Sequence, residues 1–330
     1  MIASSRTRAR VCSAKSSTAS LRVHTATTSS EHHRGHEPRG AAASRGGLAT
    51  TRQLLEIITR DQLDWQVRSG HLIRLRRGIY AAGVPDTLVR LQALDLHLGQ
   101  EAVACLGTAA GLYGFDTEGV TAVHVLDPGI RLRPQIGLMV HQRLGAPLRR
   151  VHGRLATGPA WTAIEVARQV PRPRALATLD AALHSRWCTP AELARAVWEQ
   201  HGRRGIVHVR ELLAHADGRA ESAMESEARL VMIDHRLPTP ELQYEIVTKD
   251  GTVYRVDFAW PDQRVAAEYE SIDWHAGALE MLRDKKRTAA LQEMGWLVVP
   301  IIGSDVRASP GRLADRLTYH LSTASRRQLG

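Results

Sequence analysis

The sequence predicts an α/β protein of several domains, and three observations carry that reading. Residues 47–86 run helix, helix, basic hairpin; residues 87–216 mix short strands with helices; residues 217–330 follow an α-β-β-β-α-β-α order. At 330 residues and 43% hydrophobic content, the chain is long enough for two or three cores. It carries a net charge of +10, but eight Lys/Arg against two Glu in residues 1–46 supply +6 of it. The remainder is only mildly basic, so the case for an acidic partner rests on local clusters.

Residues 1–46 are rich in Ser, Thr, Ala, Arg and Gly and are expected to form a disordered basic tail. Their acid-poor composition is superficially that of an organelle transit peptide, but a disordered extension or an upstream start codon is the simpler reading. His32, His33 and His36 read as a solvated run rather than a metal cluster. Cys12, Cys105 and Cys188 are isolated, which fits neither a disulfide framework nor a zinc site; the expected compartment is the reducing cytoplasm. No apolar run approaches the roughly 18–20 residues a membrane span needs, so no membrane partner is expected.

Order is expected from Gly47. Thr50 or Thr51 can cap a helix running through Ile58, with Leu54, Leu55 and Ile58 on one stripe. Asp61 can cap a second helix that stops at Gly70, with Leu63 and Val67 facing inward. Leu72 to Arg76 reads as a strand, Arg77-Gly78 as a turn, and Ile79 to Ala81 as the return strand. Such an order is the plan of a winged helix-turn-helix, whose second helix lies in a major groove while hairpin arginines hold phosphates. Arg68, Arg74, Arg76 and Arg77 are therefore the candidate DNA contacts. The spacing from Gly70-His71-Leu72 to Arg77-Gly78-Ile79-Tyr80 resembles the N-terminal domain of AbiEi-type antitoxins. That resemblance implies a DNA-binding regulator with a cognate toxin as candidate partner, and makes the middle region its companion helical domain.

Within residues 87–216, Val89 to Val103 and Gly107 to Gly114 read as helices, and Val123–Leu126 and Leu138–His141 as strands about a turn at Asp127 to Pro134. Three or four helices follow between Trp161 and His215, one starting at Thr189-Pro190. Gly107, Gly111 and Gly114 are too irregularly set for a phosphate loop. A linker or interaction domain is expected.

The C-terminal region opens with Ser222-Ala223-Met224-Glu225, a capping-box pattern ahead of a helix to about Arg236. Tyr244–Val247 and Val253–Phe258 form a hairpin about Lys249-Asp250-Gly251, a type I′ candidate, with Tyr254, Val256 and Phe258 on one face and Asp257 on the other. Val265 to Tyr269 makes the next strand, and its apolar flanks carry Glu268 into a largely buried sheet, where an uncompensated carboxylate is costly. A helix from Ala278 to Met294 groups Arg283, Lys286 and Arg287. A strand after Gly295 and a helix near Arg312 to His320 complete the order.

Ser222 and Glu225, Asp257, Glu268-Tyr269-Glu270-Ser271, His275, Arg283-Asp284 with Arg287, and Gly295-Trp296 together resemble the Vsr-related domains of the PD-(D/E)xK endonuclease superfamily. The resemblance implies a restriction-endonuclease-like fold over 217–330. It makes Asp257 and Glu268 ligands of Mg²⁺ (or Mn²⁺), with Glu225 or Glu270 as further candidates, and His275 a proton shuttle. Arg283, Lys286 and Arg287 would hold DNA phosphates. The chain departs from the pattern where Glu270 replaces the usual lysine and Ser271 the usual glycine. Two functions follow from the sequence: a metal-dependent DNA endonuclease in phage defence, mobile-element biology or repair, or a non-catalytic regulator of the AbiEi antitoxin type built on an inactive nuclease fold.

Overall fold

The computed structural model describes residues 47–119, 121–130, 132–142, 145–270 and 278–329. The N-terminal unit contains β1 (Leu48–Thr50), α1 (Thr51–Leu55), α2 (Arg60–Arg68), β2 (Ile73–Arg76) and β3 (Ile79–Ala81). The strands form an antiparallel sheet in the order β1-β3-β2. Thr50 caps α1, and the helix is shorter than its apolar stripe suggested. Thr59, not Asp61, caps α2: its hydroxyl accepts from the Gln62 amide while Gln62 reaches back to the Thr59 amide at 2.8 Å. That reciprocal pair satisfies two amides, which an aspartate already inside the helix cannot do. Leu54, Leu63, Leu72 and Tyr80 make a small core. At the β2–β3 turn Gly78 has φ +75°, the left-handed region open to glycine.

The middle unit contains α3 (Thr87–Leu98), α4 (Leu106–Tyr113), β4 (Val123–Leu126), β5 (Leu138–His141), β6 (Leu148–Val151), β7 (Arg154–Thr157), α5 (Pro159–Ala167), α6 (Arg172–His184), α7 (Pro190–Glu199) and α8 (Ile206–Leu213). Helix α3 stops well before Val103, because Gly99 takes φ +69° and Asp95 turns to accept from the Ala102 amide. Strands β4 and β5 pair in parallel. The antiparallel β6–β7 hairpin escaped the sequence reading, since Arg149, Arg150 and Arg154 mask its alternation. Phe115, Ile164, Leu176, Leu179 and Leu193 sit fully buried in one core. Burial of each such side chain contributes about 1.5–3 kcal/mol.

The C-terminal unit contains α9 (Ala223–Asp234), β8 (Glu241–Val247), β9 (Val253–Trp260), β10 (Val265–Tyr269), α10 (Ala278–Glu293), β11 (Leu297–Ile301), α11 (Gly303–Arg307) and α12 (Pro310–Leu329). Its sheet runs β11-β10-β9-β8, with β10 and β11 parallel and the other pairs antiparallel. Helices α9 and α12 cover one face through Met232, Leu313 and Leu317, and α10 covers the other through Leu291. The β8–β9 connection is a five-residue loop, with the Gly251 amide on the Thr248 carbonyl, rather than a two-residue turn. The expected face-sharing also breaks. Tyr254 and Val256 pack beside Leu291 and Trp296, whereas Phe258 packs on the opposite face with Met232. The cause lies across the ladder, where Gln243 adopts φ +53° and flips the sides of β8 between Leu242 and Tyr244. The kink therefore falls at Asp257.

Helix α9 joins the middle and C-terminal units. Its Leu230 belongs to the middle core, while Ala228, Val231 and Met232 belong to the C-terminal one. Arg229 reaches Asp180 of α6 at 2.6 Å and the His215 carbonyl at 2.6 Å. Glu227, 3% exposed, lies between Arg174 and Arg307, each at 2.9 Å. Burial pushes the Glu227 carboxyl up, but the two guanidinium groups prevail and hold it below the usual range. Among the described residues, no helix is long and apolar enough to cross a membrane.

Candidate functional site

Two polar sites emerge from this frame. The first is a basic groove of about 510 Å³ lined by Arg74, Arg76, Arg77, Leu75, His97 and Gln135, with Ile136 at its edge. A register shift between Arg74 and Arg76 breaks the β2 ladder at Leu75, the kind of irregularity that re-aims side chains. Arg74 and Arg77 are exposed and Arg76 is half-buried. Burial lowers the pKa of Arg76; its Nη1 donates to the Leu75 carbonyl at 3.2 Å, and its Nε is buried without a partner. Among the described residues none of these three arginines forms an ion pair. An unpaired, partly desolvated guanidinium is a costly arrangement that an incoming anion relieves. Arg68, at the end of α2, is exposed but does not line the groove. Beside it Trp65, 54% exposed, stacks on His71 with ring centroids 5.2 Å apart. His97, Gln135 and Ile136 come from the middle unit, and sequence reasoning missed them because no local pattern links α3 and the β4–β5 loop to the hairpin.

The second site is acidic and lies in the C-terminal unit. Asp257 on β9 and Glu268 on β10 face each other one position beyond the last ladder pair, Phe258 with Ala267. Asp257 Oδ2 accepts from the Tyr269 amide at 2.8 Å. Glu225 on α9 accepts from the Glu221 amide at 3.0 Å and from Gln243 Nε2 at 2.9 Å. The expected capping box is thus half made: Ser222 caps the Glu225 amide, but the carboxylate passes the cap residue and reaches Glu221. Gln243 thus reaches from β8 to the Glu225 carboxylate. Sequence reasoning missed it because a glutamine on a strand edge carries no signal until β8 kinks.

Burial is the largest influence on all three acids and pushes Glu225, Asp257 and Glu268 up. Arg287 pulls Asp257 and Glu268 back in part. A cavity of about 630 Å³ opens here, lined by Asp257, Glu268, Glu270, Asp284, Lys285 and Arg287 among others. Arg287, an expected phosphate contact, lines this cavity. It forks onto both Glu268 oxygens, at 2.8 and 2.5 Å. Arg283 and Lys286 are exposed on α10, outside this cavity. His275 and Ser271 lie outside the described residues. Among the described residues, no three His, Cys, Asp or Glu side chains are grouped to hold a metal ion. The donor set does not fit a divalent cation in this arrangement, because the Arg287 guanidinium occupies both oxygens of Glu268.

A histidine pair marks the middle unit. His124 Nδ1 and His141 Nε2 lie 3.0 Å apart across β4 and β5, with rings stacked at 5.1 Å. Burial pushes both pKa values down; Asp116 pulls His124 partly back, and His124 pushes His141 further. A depressed histidine binds fewer protons folded than unfolded, so stability falls as pH drops through about 6.5. Urea unfolding on either side of that pH is expected to show this loss, and a His124→Gln/His141→Asn variant is expected to show a flatter profile.

Comparison with known proteins places these features. Residues 102–215 match the AbiEi antitoxin C-terminal domain, a span that holds α4 to α8 and β4 to β7. The match falls on the middle unit rather than on the hairpin that carries the antitoxin-like spacing. The chain is 68% identical over 267 residues to uncharacterized protein Rv2248 of Mycobacterium tuberculosis (strain ATCC 25618 / H37Rv), covering 81% of this chain and 98% of that protein. The same figures hold for uncharacterized protein MT2308 of Mycobacterium tuberculosis (strain CDC 1551 / Oshkosh). The chain carries an AbiEi-type antitoxin domain and belongs to the family of these two mycobacterial proteins.

Proposed function

We propose that the protein is a DNA-binding regulator of the AbiEi antitoxin type. The observation that carries this reading is the groove of Arg74, Arg76 and Arg77, without ion pairs among the described residues, beside the antitoxin-matched domain. Residues 47–86 act as a winged helix-turn-helix: α2, with Arg68 and Trp65, approaches base edges, and the hairpin arginines hold phosphates. Each phosphate neutralised releases condensed counterions, which makes such binding tight at low salt and weak at high salt. The C-terminal unit, read as an endonuclease-like fold, serves without catalysis as a platform for DNA or for a partner such as a cognate toxin.

A second reading, a Mg²⁺- or Mn²⁺-dependent endonuclease, draws on the meeting of Asp257, Glu268 and Glu225. The Arg287 fork on both Glu268 oxygens counts against it. Incubating the full chain with promoter DNA from upstream of its own gene separates the two. The regulator predicts a salt-sensitive gel shift and an intact supercoiled plasmid in Mg²⁺ or Mn²⁺. Plasmid cleavage that disappears in Asp257→Ala and Glu268→Ala proteins would establish the nuclease instead.

A further inference from the structure

The acidic site of the C-terminal unit already holds a cation. We propose that Arg287 is that cation: its guanidinium sits against Glu268 where a divalent ion would have to bind, and keeps the site closed to metal. This arrangement involves only α10 and the sheet, and it stands whether or not the hairpin binds DNA.

The geometry is a two-point fork. Arg287 Nη1 donates to Glu268 Oε2 at 2.8 Å and Nη2 to Oε1 at 2.5 Å, so both carboxylate oxygens are used. Nη2 also donates to the Arg255 carbonyl at 2.5 Å, which fixes the guanidinium to β9 as well as β10. A planar fork matching a carboxylate is a strong and directional ion pair, and it is partly sheltered here. The helix enforces this placement. Leu291, one turn beyond Arg287, is buried against Ala266 and Trp296, and residues four apart share a helix face. Arg283 and Lys286, which the sequence groups into the same basic cluster, remain exposed.

The neighbouring acids each commit one oxygen: Asp257 Oδ2 accepts from the Tyr269 amide, and Glu225 Oε2 from the Glu221 amide and Gln243 Nε2. A divalent ion needs several oxygens with free lone pairs converging on one point. To gain Glu268 it would have to expel a guanidinium held by three hydrogen bonds. Glu270, where a lysine stands in the nuclease pattern, adds a further negative charge at the cavity without supplying a cation, which leaves that role to Arg287.

The test is Mn²⁺ titration of the full chain, read as loss of the free-ion paramagnetic signal and as a thermal shift. The wild type is expected to show no saturable binding at millimolar Mn²⁺. Arg287→Met is expected to gain it, with an affinity change on the order of 10–100-fold, the range in which adjacent side chains tune a metal site. Arg287→Met should also melt lower than wild type and be restored by Mn²⁺. Arg287→Met/Glu268→Gln should recover stability without the ion and lose the binding gain. Saturable wild-type binding that Glu268→Gln abolishes would overturn the proposal, as would Arg287→Met that folds but gains no affinity. Should Arg287→Met fail to fold, the double variant and the wild-type titration still decide: a double variant that melts like wild type beside a flat wild-type titration supports it. A double variant no more stable than the single would overturn it.

Discussion

Replacing Arg229 with alanine is expected to lower the unfolding free energy by about 3–5 kcal/mol, the usual cost of removing one partner from a buried ion pair. Asp180 is only 1% exposed, and its remaining backbone donor among the described residues is the Asp217 amide. Burial already pushes its carboxyl up, so without Arg229 it must either bear an uncompensated charge or take up a proton. The same guanidinium ties the His215 carbonyl to α9, so its removal loosens the packing of the antitoxin-matched domain on the C-terminal sheet. Urea unfolding provides the measurement. Asp180→Ala should cost a similar amount, and the double variant should cost clearly less than the sum. The exposed Arg255–Glu221 pair is the internal control, since its removal is expected to cost about 1 kcal/mol or less.

Replacing Arg74, Arg76 and Arg77 together by alanine is expected to remove most of the DNA affinity while leaving the fold intact. None of the three makes an ion pair among the described residues, and two are exposed, so each substitution should alter stability by only about 0.5 kcal/mol. Arg76 exchanges an unpartnered buried nitrogen for a methyl group, which offsets part of its packing deficit. The effect on binding is different in kind, because three cations that neutralise phosphate, and the counterions they release, disappear at once.

The sequence made some of this legible and hid the rest for physical reasons. Helix starts with a hydroxyl cap and a Gln or Glu three residues on are readable, as at Thr189, although at Thr59 the neighbouring Asp61 competes as a cap. The C-terminal order is readable because its strands are long and β-branched. Asp257 and Glu268 fall on adjacent strands in the sequence pattern because Glu268 interrupts an apolar run. Two features stay hidden. The left-handed turn at Gln243, which swaps the faces of β8 and sets Asp257 at a kink, occurs at a residue with no special propensity for it. The inward turn of Arg287 depends on Leu291 anchoring α10, and charge spacing alone groups it with Arg283 and Lys286. Likewise, the basic groove draws His97 and Gln135 from the middle unit, a pairing that only tertiary packing creates.

Binding of DNA phosphate by the hairpin arginines is tested most directly by the salt dependence of affinity. Fluorescence anisotropy of labelled promoter duplex would give the slope of log affinity against log salt for the full chain and for the triple alanine variant. A straight line is expected for the wild type, and a variant slope shallower by about 0.9 for each phosphate no longer neutralised. Equal slopes and equal affinities for the two proteins would contradict a role for these arginines on DNA.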